Sequence, residues 1–511
     1  MMTSRALMVL GTASHVGKSI TVAALCRIFH QDGLSVAPFK AQNMALNSFA
    51  TRAGHEIGRA QAMQSQAAGI EPHVDMNPIL LKPSSDIGSQ VVLNGKVFGN
   101  VTAANFQQLK PQLFTSVVEA YQRLAARYDF IILEGAGSPV EINLKEGDIV
   151  NLKMAEAADA ACILVADIDR GGVFASLVGT YELLTEKERA RFNGFIINKF
   201  RGDAALLRPG IEQLESRLNQ PCLGIVPYLH NCNIDEEDSV ALEDSRRRHN
   251  TSVKPGSQLR ICVIRLPHIS NFSDFSALEA QPEITLFYGR NPQEIRAADL
   301  VILPGSKNTI SDLCWLYTSG WANAVSDHAN SGKPVIGICG GFQMLGRKVH
   351  DPFHIEGETD AVSGLALLDV VTLIGREKIT RQAQVRLIQP NLIGATEPGP
   401  VFEGYEIHMG DTQFGSQARP LFLLKRLGES DSILDGAISD DGRVMGTYLH
   451  GLFDSTEGAA ALLSHFSRLC GRTQSITIDR SDREQGYDEL AAHFRSHLDI
   501  KAIYRLVGMV R

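Results

Sequence analysis

A chain of 511 residues is too long for one ordinary domain. Hydrophobic residues make up 44% and charged residues 21%, which excludes disorder as the dominant state. A net charge of −8 argues against nucleic-acid binding, no apolar run nears the roughly 20 residues of a membrane helix, and eight scattered cysteines without a CxxC pair argue against a zinc site or a disulfide framework, so a reduced, cytoplasmic protein is expected, with no nucleic-acid and no membrane partner.

In chain order, several short apolar runs end abruptly. They are Ala6–Leu10, Phe130–Leu133, Cys162–Ala166, Phe195–Ile197, Ile261–Ile264, Leu300–Leu303 and Val335–Ile338. Such runs read as strands buried on both faces. Helix-compatible segments, such as Lys18–Gln31 and Phe114–Arg127, lie between them. The alternation predicts an α/β protein with two parallel-sheet domains, whose ligands bind beyond the carboxyl ends of strands.

From Asn233 to Gln258 the sequence turns acidic, then basic, then Pro255-Gly256-Ser257. This reads as a linker. The expected organisation is a first domain over 1–235, a linker over 236–258, a second domain over 259–455 and a helical tail over 456–511.

The first strand leads into Gly11-Thr12-Ala-Ser-His-Val-Gly17-Lys18-Ser19. Five residues separate the glycines, one more than in the usual phosphate loop. The physical requirements are still met: backbone N–H groups face an anion, Lys18 adds a positive charge and Ser19 can hold Mg²⁺. Gly11, Thr12, Gly17, Lys18 and Ser19 are therefore expected at ATP. Glu134 ends the strand Phe130–Leu133, where a second Mg²⁺ ligand is wanted. Asp167, Asp169 and Arg170 follow the next strand and could manage transferring phosphoryl charge. Asn198 follows the strand after that, where nucleotide-binding relatives place a base-recognising Asn.

In the second half, Val335–Ile338 ends in Cys339-Gly340-Gly341, preceded by Gly337. Small neighbours permit a strained strand-to-helix elbow carrying a nucleophile, with a helix N-terminus to favour negative charge on it. His450, which also ends an apolar segment, is the expected base. Gly305, after the strand Leu300–Leu303, and Gly340 are expected to offer the amides of an oxyanion hole. Glu406 and His408 could help build a pocket beside them.

The spaced-out phosphate loop resembles that of dethiobiotin synthetase and its relatives, which phosphorylate a carboxylate or carbamate. The Cys elbow with a distant His resembles a class I glutamine amidotransferase domain. That class commonly carries a Glu two residues after the His. Here Leu452 stands there and Asp454 comes two later, so the orienting acid is missing or replaced.

A more specific resemblance is to the cobyric acid synthase family. It is carried by Lys40-Ala-Gln42-Asn43-Met44-Ala-Leu-Asn47-Ser48, by Gly58-Arg59-Ala60-Gln61-Ala62, by Glu134-Gly-Ala-Gly-Ser-Pro and by Gly446-Thr-Tyr-Leu-His450-Gly-Leu-Phe-Asp454. The match runs in order over about nine-tenths of the chain, from the phosphate loop to Asp454. The resemblance implies ATP- and glutamine-dependent amidation of adenosylcobyrinic acid a,c-diamide on its b, d, e and g carboxylates, with ATP and Mg²⁺ as cofactors. The partners are then small molecules, and a homodimer is left open. Lys40, Gln42, Asn43, Asn47 and Arg59 form a polar run suited to phosphoryl transfer or to a substrate rich in carboxylates and amides. The Lys40–Ser48 run argues against the a,c-diamide synthase that shares both domains. The absence of His-Pro-Glu at His450 argues against CTP synthase.

Overall fold

The computed structural model describes residues 5–83, 88–229, 259–389, 399–472, 476 and 483–509. The expected linker lies outside the described residues.

The first domain is built on a six-stranded parallel sheet: β1 (Arg5–Gly11), β2 (Val36–Phe39), β3 (Phe130–Glu134), β4 (Ala161–Asp167), β5 (Phe192–Phe200) and β6 (Cys222–Pro227). Their spatial order is β6-β5-β4-β1-β3-β2. The central strands are apolar on both faces because helices cover both. β1 lies between β3 and β4, so the loops leaving these three strands open into one crevice.

The second domain carries a parallel set, β7 (Leu259–Ile264), β8 (Ile284–Gly289), β9 (Leu300–Leu303), β10 (Val335–Ile338) and β11 (Val444–Thr447), in the order β8-β7-β9-β10-β11. An antiparallel extension continues beyond β11 and includes the long paired strands Val370–Leu387 and Val401–Phe414. All seven apolar runs read as strands form strands. The helix α1 spans Lys18–Gln31, as the sequence indicates. The helix expected from Phe114 begins instead at Ala103 and passes through Pro111, because Thr102 caps it by accepting a hydrogen bond from Asn105 N.

A second four-stranded sheet and a short hairpin, Ser48–Ala50 with Glu56–Gly58, branch from the first domain. They hold the Lys40–Ser48 run and press it against the second domain. Among the contacts there, Gln382 Nε2 donates to Ala50 O at 3.1 Å, and buried Glu56 pairs with Lys82 of its own domain at 2.8 Å and with Lys378 of the other.

The tail divides between the two domains. Its first helix, Thr456–Leu469, packs there. Residues 483–509 return to the first domain: Tyr487, Leu490 and Phe494 join the core beneath α1, Arg27 bonds Glu484 and Asp488, and Asp499 N bonds Leu223 O. The apolar face of Arg483–His497 matches the outer face of α1, which would otherwise be exposed.

Candidate active sites

At the end of β1 the loop turns tightly. Gly17 sits at φ 100°, a region open to glycine, and caps α1. A Cβ on Gly11 would lie 2.7 Å from the Val16 side chain, so the loop has no room for a larger residue. Lys18 is folded back, with Nζ 2.8 Å from Ala13 O and 3.2 Å from Gly137 O. Thr12 N is bonded to Val165 O, which ties the loop to β4. Asn198 donates from Nδ2 to Val16 O at 2.9 Å and thereby supports the phosphate loop from beneath.

Glu134 lies at the centre of this crevice. It is buried, and its carboxylate takes Ser19 Oγ at 2.9 Å, Lys40 Nζ at 2.8 Å and Gln64 Nε2 at 2.5 Å. Ser19, Lys40 and Glu134 are thus brought together from three segments. Gln42 and Asn43 follow Lys40; Asn43 bonds Gln61 at 3.0 Å. Three buried side-chain atoms here have no hydrogen-bond partner: Gln42 Oε1, Gln61 Nε2 and Gln64 Oε1. Such orphans are uncommon in a finished core and suit a pocket lining that awaits a polar ligand. The hard oxygens of Ser19 and Glu134 fit Mg²⁺, which keeps several water or phosphate ligands. No cluster of three His, Cys, Asp or Glu stands among the described residues, so a fuller protein cage is not built there.

Asp167 pairs with Lys199 at 2.9 Å rather than with an arginine, and exposed Asp169 pairs with Arg201 at 2.7 Å. Arg170 is exposed on the turn before the helix Val173–Glu182. Asn47 and Arg59 depart from the remainder of the polar run. Asn47 faces the second domain, where its Oδ1 accepts from Phe272 N at 3.2 Å, and Arg59 lies over the Phe49 ring at 5.3 Å.

In the second domain Cys339 sits at φ 51° between β10 and the helix Gly340–Leu345, the strained elbow that the flanking glycines predict. A Cβ on Gly341 would lie 2.0 Å from Leu303 O, and one on Gly340 would lie 2.9 Å from Ser306 N. Close approach therefore requires both glycines. It also brings Gly340 against the Gly305–Ser306 strand, where the oxyanion hole was expected. A Cβ on Gly305 would come within 3.3 Å of His450 Cε1, so the Cys elbow, Gly305 and His450 converge.

The sequence reading missed Asp274. His450 Nδ1 lies 2.7 Å from Asp274 Oδ2, and Gly451 N donates to Asp274 Oδ1 at 3.1 Å. Asp454 instead takes Arg483 at 3.0 Å. Burial would lower the His450 pKa, but Asp274 and Cys339 outweigh burial and raise it to about 10. No local signal marks Asp274, because it comes from a loop 176 residues upstream.

A cavity of about 350 Å³ is lined by Phe342, Glu406, His408, Arg426 and Tyr448 among others. Cys339 Sγ is 3.6 Å from Ile407 O, between two of the lining residues. His408 stacks on Tyr448 and bonds Glu406 at 3.1 Å, and Glu406 pairs with Arg426 at 2.8 Å. Glu406 and His408 thus belong to one wall of this cavity.

A nucleotide-binding domain joined to a glutamine amidotransferase domain defines a glutamine-dependent amidating ligase. Residues 7–240 match the CobQ/CobB/MinD/ParA nucleotide binding domain, and residues 260–458 match the CobB/CobQ-like glutamine amidotransferase domain. The chain is 49% identical to a cobyric acid synthase of Syntrophobacter fumaroxidans, covering 99% of both chains. It is 50% identical to that of Yersinia enterocolitica over 98% of both, and 45% identical to that of Clostridium botulinum over 98% of this chain and 99% of that one. The chain belongs to the cobyric acid synthase family. Among the described residues no helix is long and apolar enough to cross a membrane.

Proposed function

We propose that this enzyme converts adenosylcobyrinic acid a,c-diamide to adenosylcobyric acid in cobalamin biosynthesis, amidating the b, d, e and g carboxylates with ATP and glutamine. A carboxylate is a poor electrophile. Transfer of the ATP γ-phosphoryl group to it gives an acyl phosphate, whose phosphate then leaves when ammonia attacks. Lys18 and the amides of Gly11–Ser19 hold the phosphates, and Asn198 supports their loop. Ser19 and Glu134 would hold Mg²⁺, which supplies charge neutralisation on the phosphates when bound. Lys40, Gln42 and Asn43 face the substrate side of the crevice, and Asp167, Asp169 and Arg170 line its rim beyond β4.

Glutamine enters beside Cys339. The sulfur attacks the carboxamide carbon, and the developing oxyanion is met by the amides of Gly305 and Gly340. His450 takes the thiol proton and returns it to the departing nitrogen, releasing ammonia and leaving a glutamyl thioester for water to cleave. Making ammonia in place keeps the nucleophile neutral and concentrated.

The observation that carries this reading is the convergence of strained Cys339, Gly305 and His450, in a chain whose other domain gathers Ser19, Lys40 and Glu134. The test is a mass-spectrometric time course with ATP, Mg²⁺, glutamine and adenosylcobyrinic acid a,c-diamide. Four successive small mass losses, one per hydroxyl exchanged for an amino group, are expected. An unchanged corrinoid with glutamine still hydrolysed would overturn the substrate assignment.

A further inference from the structure

We propose that the segment Asn47-Ser48-Phe49 of the first domain completes the glutaminase site of the second by positioning His450, so that the domain that activates the acceptor also sets the competence of the ammonia source. This inference rests on the glutaminase role assigned above to Cys339 and His450.

Two separate supports run from this segment to the imidazole. The first reaches the ring edge. The loop Asn271–Asp274 holds His450 at Nδ1 through Asp274. That loop is gripped from the other domain twice: Phe272 N donates to Asn47 Oδ1 at 3.2 Å, and Ser48 N donates to Asn271 Oδ1 at 2.9 Å. Asn47, Ser48 and Asn271 are all buried. Asn271 itself sits at φ 52°, a backbone state that needs outside support.

The Ser48 contact also settles which way the Asn271 amide faces. A backbone N–H can only donate, so the atom opposite it is the amide oxygen. The amide nitrogen therefore points at His450 Nε2, 3.3 Å away. A donor at Nε2 and a carboxylate at Nδ1 select, in the neutral imidazole, the tautomer with its proton on Nδ1. In that tautomer the Nε2 lone pair is the ring's acceptor, and the Asn271 amide fixes where it points.

The second support reaches the ring face. His450 stacks on Tyr405, with centroids 5.2 Å apart and planes 20° apart. Tyr405 also exchanges both backbone hydrogen bonds with His450. Behind Tyr405 stands Phe49, 5.3 Å away, and Arg59 covers its other side. Edge and face of the general base are thus both backed by three consecutive residues of the other domain. The same stretch of chain begins at Lys40, which reaches Glu134 beside the phosphate loop. One short segment therefore touches both reaction centres.

Asn47 and Phe49 act through other residues, so they are positioning residues, and their loss is read as a change in turnover rather than in glutamine binding. The test uses the full chain with Asn47→Ala, Phe49→Ala, the reference variant Asn271→Ala and the double variant Asn47→Ala with Asn271→Ala. Glutamate release, glutamine-driven amidation and ammonia-driven amidation are measured side by side. Each single variant is expected to lower kcat for glutamate release by about tenfold or more, the effect of leaving a buried donor unpaired or an aromatic support missing. KM for glutamine and the rate of ammonia-driven amidation stay within about twofold, which also shows that the protein is folded. The double variant falls little below the worse of its two single variants, because both residues hold one loop.

Unchanged glutamate release in both single variants would overturn the proposal. So would an equal fall in ammonia-driven amidation, which would make the segment part of the acceptor site. Cys339→Ala, run alongside, separates this failure from the larger one. If that variant still hydrolyses glutamine, the glutaminase reading itself fails.

Discussion

Asp274 Oδ2 and His450 Nδ1 stand 2.7 Å apart although 176 residues separate them in the chain. Both side chains are buried, and the aspartate also accepts from Gly451 N. The carboxylate fixes the imidazole by its edge and stabilises positive charge on it. The acid absent from the position two residues after the histidine is thus replaced from another element.

Asp274→Asn removes that charge. Burial lowers the His450 pKa and the carboxylate with Cys339 raises it, to about 10 against an ordinary 6.5. Without the carboxylate the value falls, so the imidazolium is lost at lower pH. The alkaline limb of glutamine hydrolysis is expected to move down, and turnover to fall by roughly 10²-fold or more. A pH–rate profile of glutamate release checks both expectations.

Cys339→Ala deletes the proposed nucleophile without touching the first domain. Glutamine-driven amidation is expected to vanish, and ammonia-driven amidation to persist at a rate near that of the parent enzyme. Corrinoid products formed from glutamine and from an ammonium salt are compared by mass spectrometry.

Lys18→Ala acts on the other centre. Lys18 closes the loop after β1 by bonding Ala13 O and Gly137 O, and in the proposed function it is the charge that meets the phosphates. Amidation from either nitrogen source is expected to fall by roughly 10²–10³-fold, as when a fixed charge facing the transition state is removed. Glutamate release in the absence of acceptor stays measurable. ADP formation, followed in a coupled assay, reads the loss.

Glu56→Gln tests the junction between domains. Burial would raise this carboxyl's pKa, but Lys378 and Lys82 hold it far below the usual range. The substitution leaves Lys82 and Lys378 buried without their counter-charge. Breaking a buried ion pair from one side costs about 3–5 kcal/mol. A lower melting midpoint by calorimetry is expected.

Much of the fold was legible because its strands are uniform apolar runs that break at functional loops. The phosphate loop and the Cys elbow were legible for a related reason. Each needs glycine at fixed spacing, and that need is local: Gly17 at positive φ, Gly340 and Gly341 against neighbouring backbone. Lys40 and Glu134 were found only as members of a motif or as a strand end. Their 2.8 Å pairing depends on how β2 and β3 lie side by side.

What escaped the reading has no local signature. Asp274 lies in the 3-10 turn Phe272–Phe275, whose sequence announces nothing, and its partner His450 follows β11, 176 residues away. Asn47 reads as one more polar residue in a substrate-facing run, yet the docking of the Ser48–Ala50 hairpin turns it toward Phe272. The tail read only as helical, and the outer face of α1 decided where residues 483–509 settle.

The sequence by itself determined the two nucleotide- and glutamine-type domains, the tight loop before Lys18 and the strained elbow at Cys339, because backbone strain and strand patterning are written residue by residue. Only the tertiary structure decided which acid orients His450, which domain holds that acid's loop and where the tail packs. Those are pairings between distant segments, set by complementary buried surfaces and by the requirement that buried polar groups find partners.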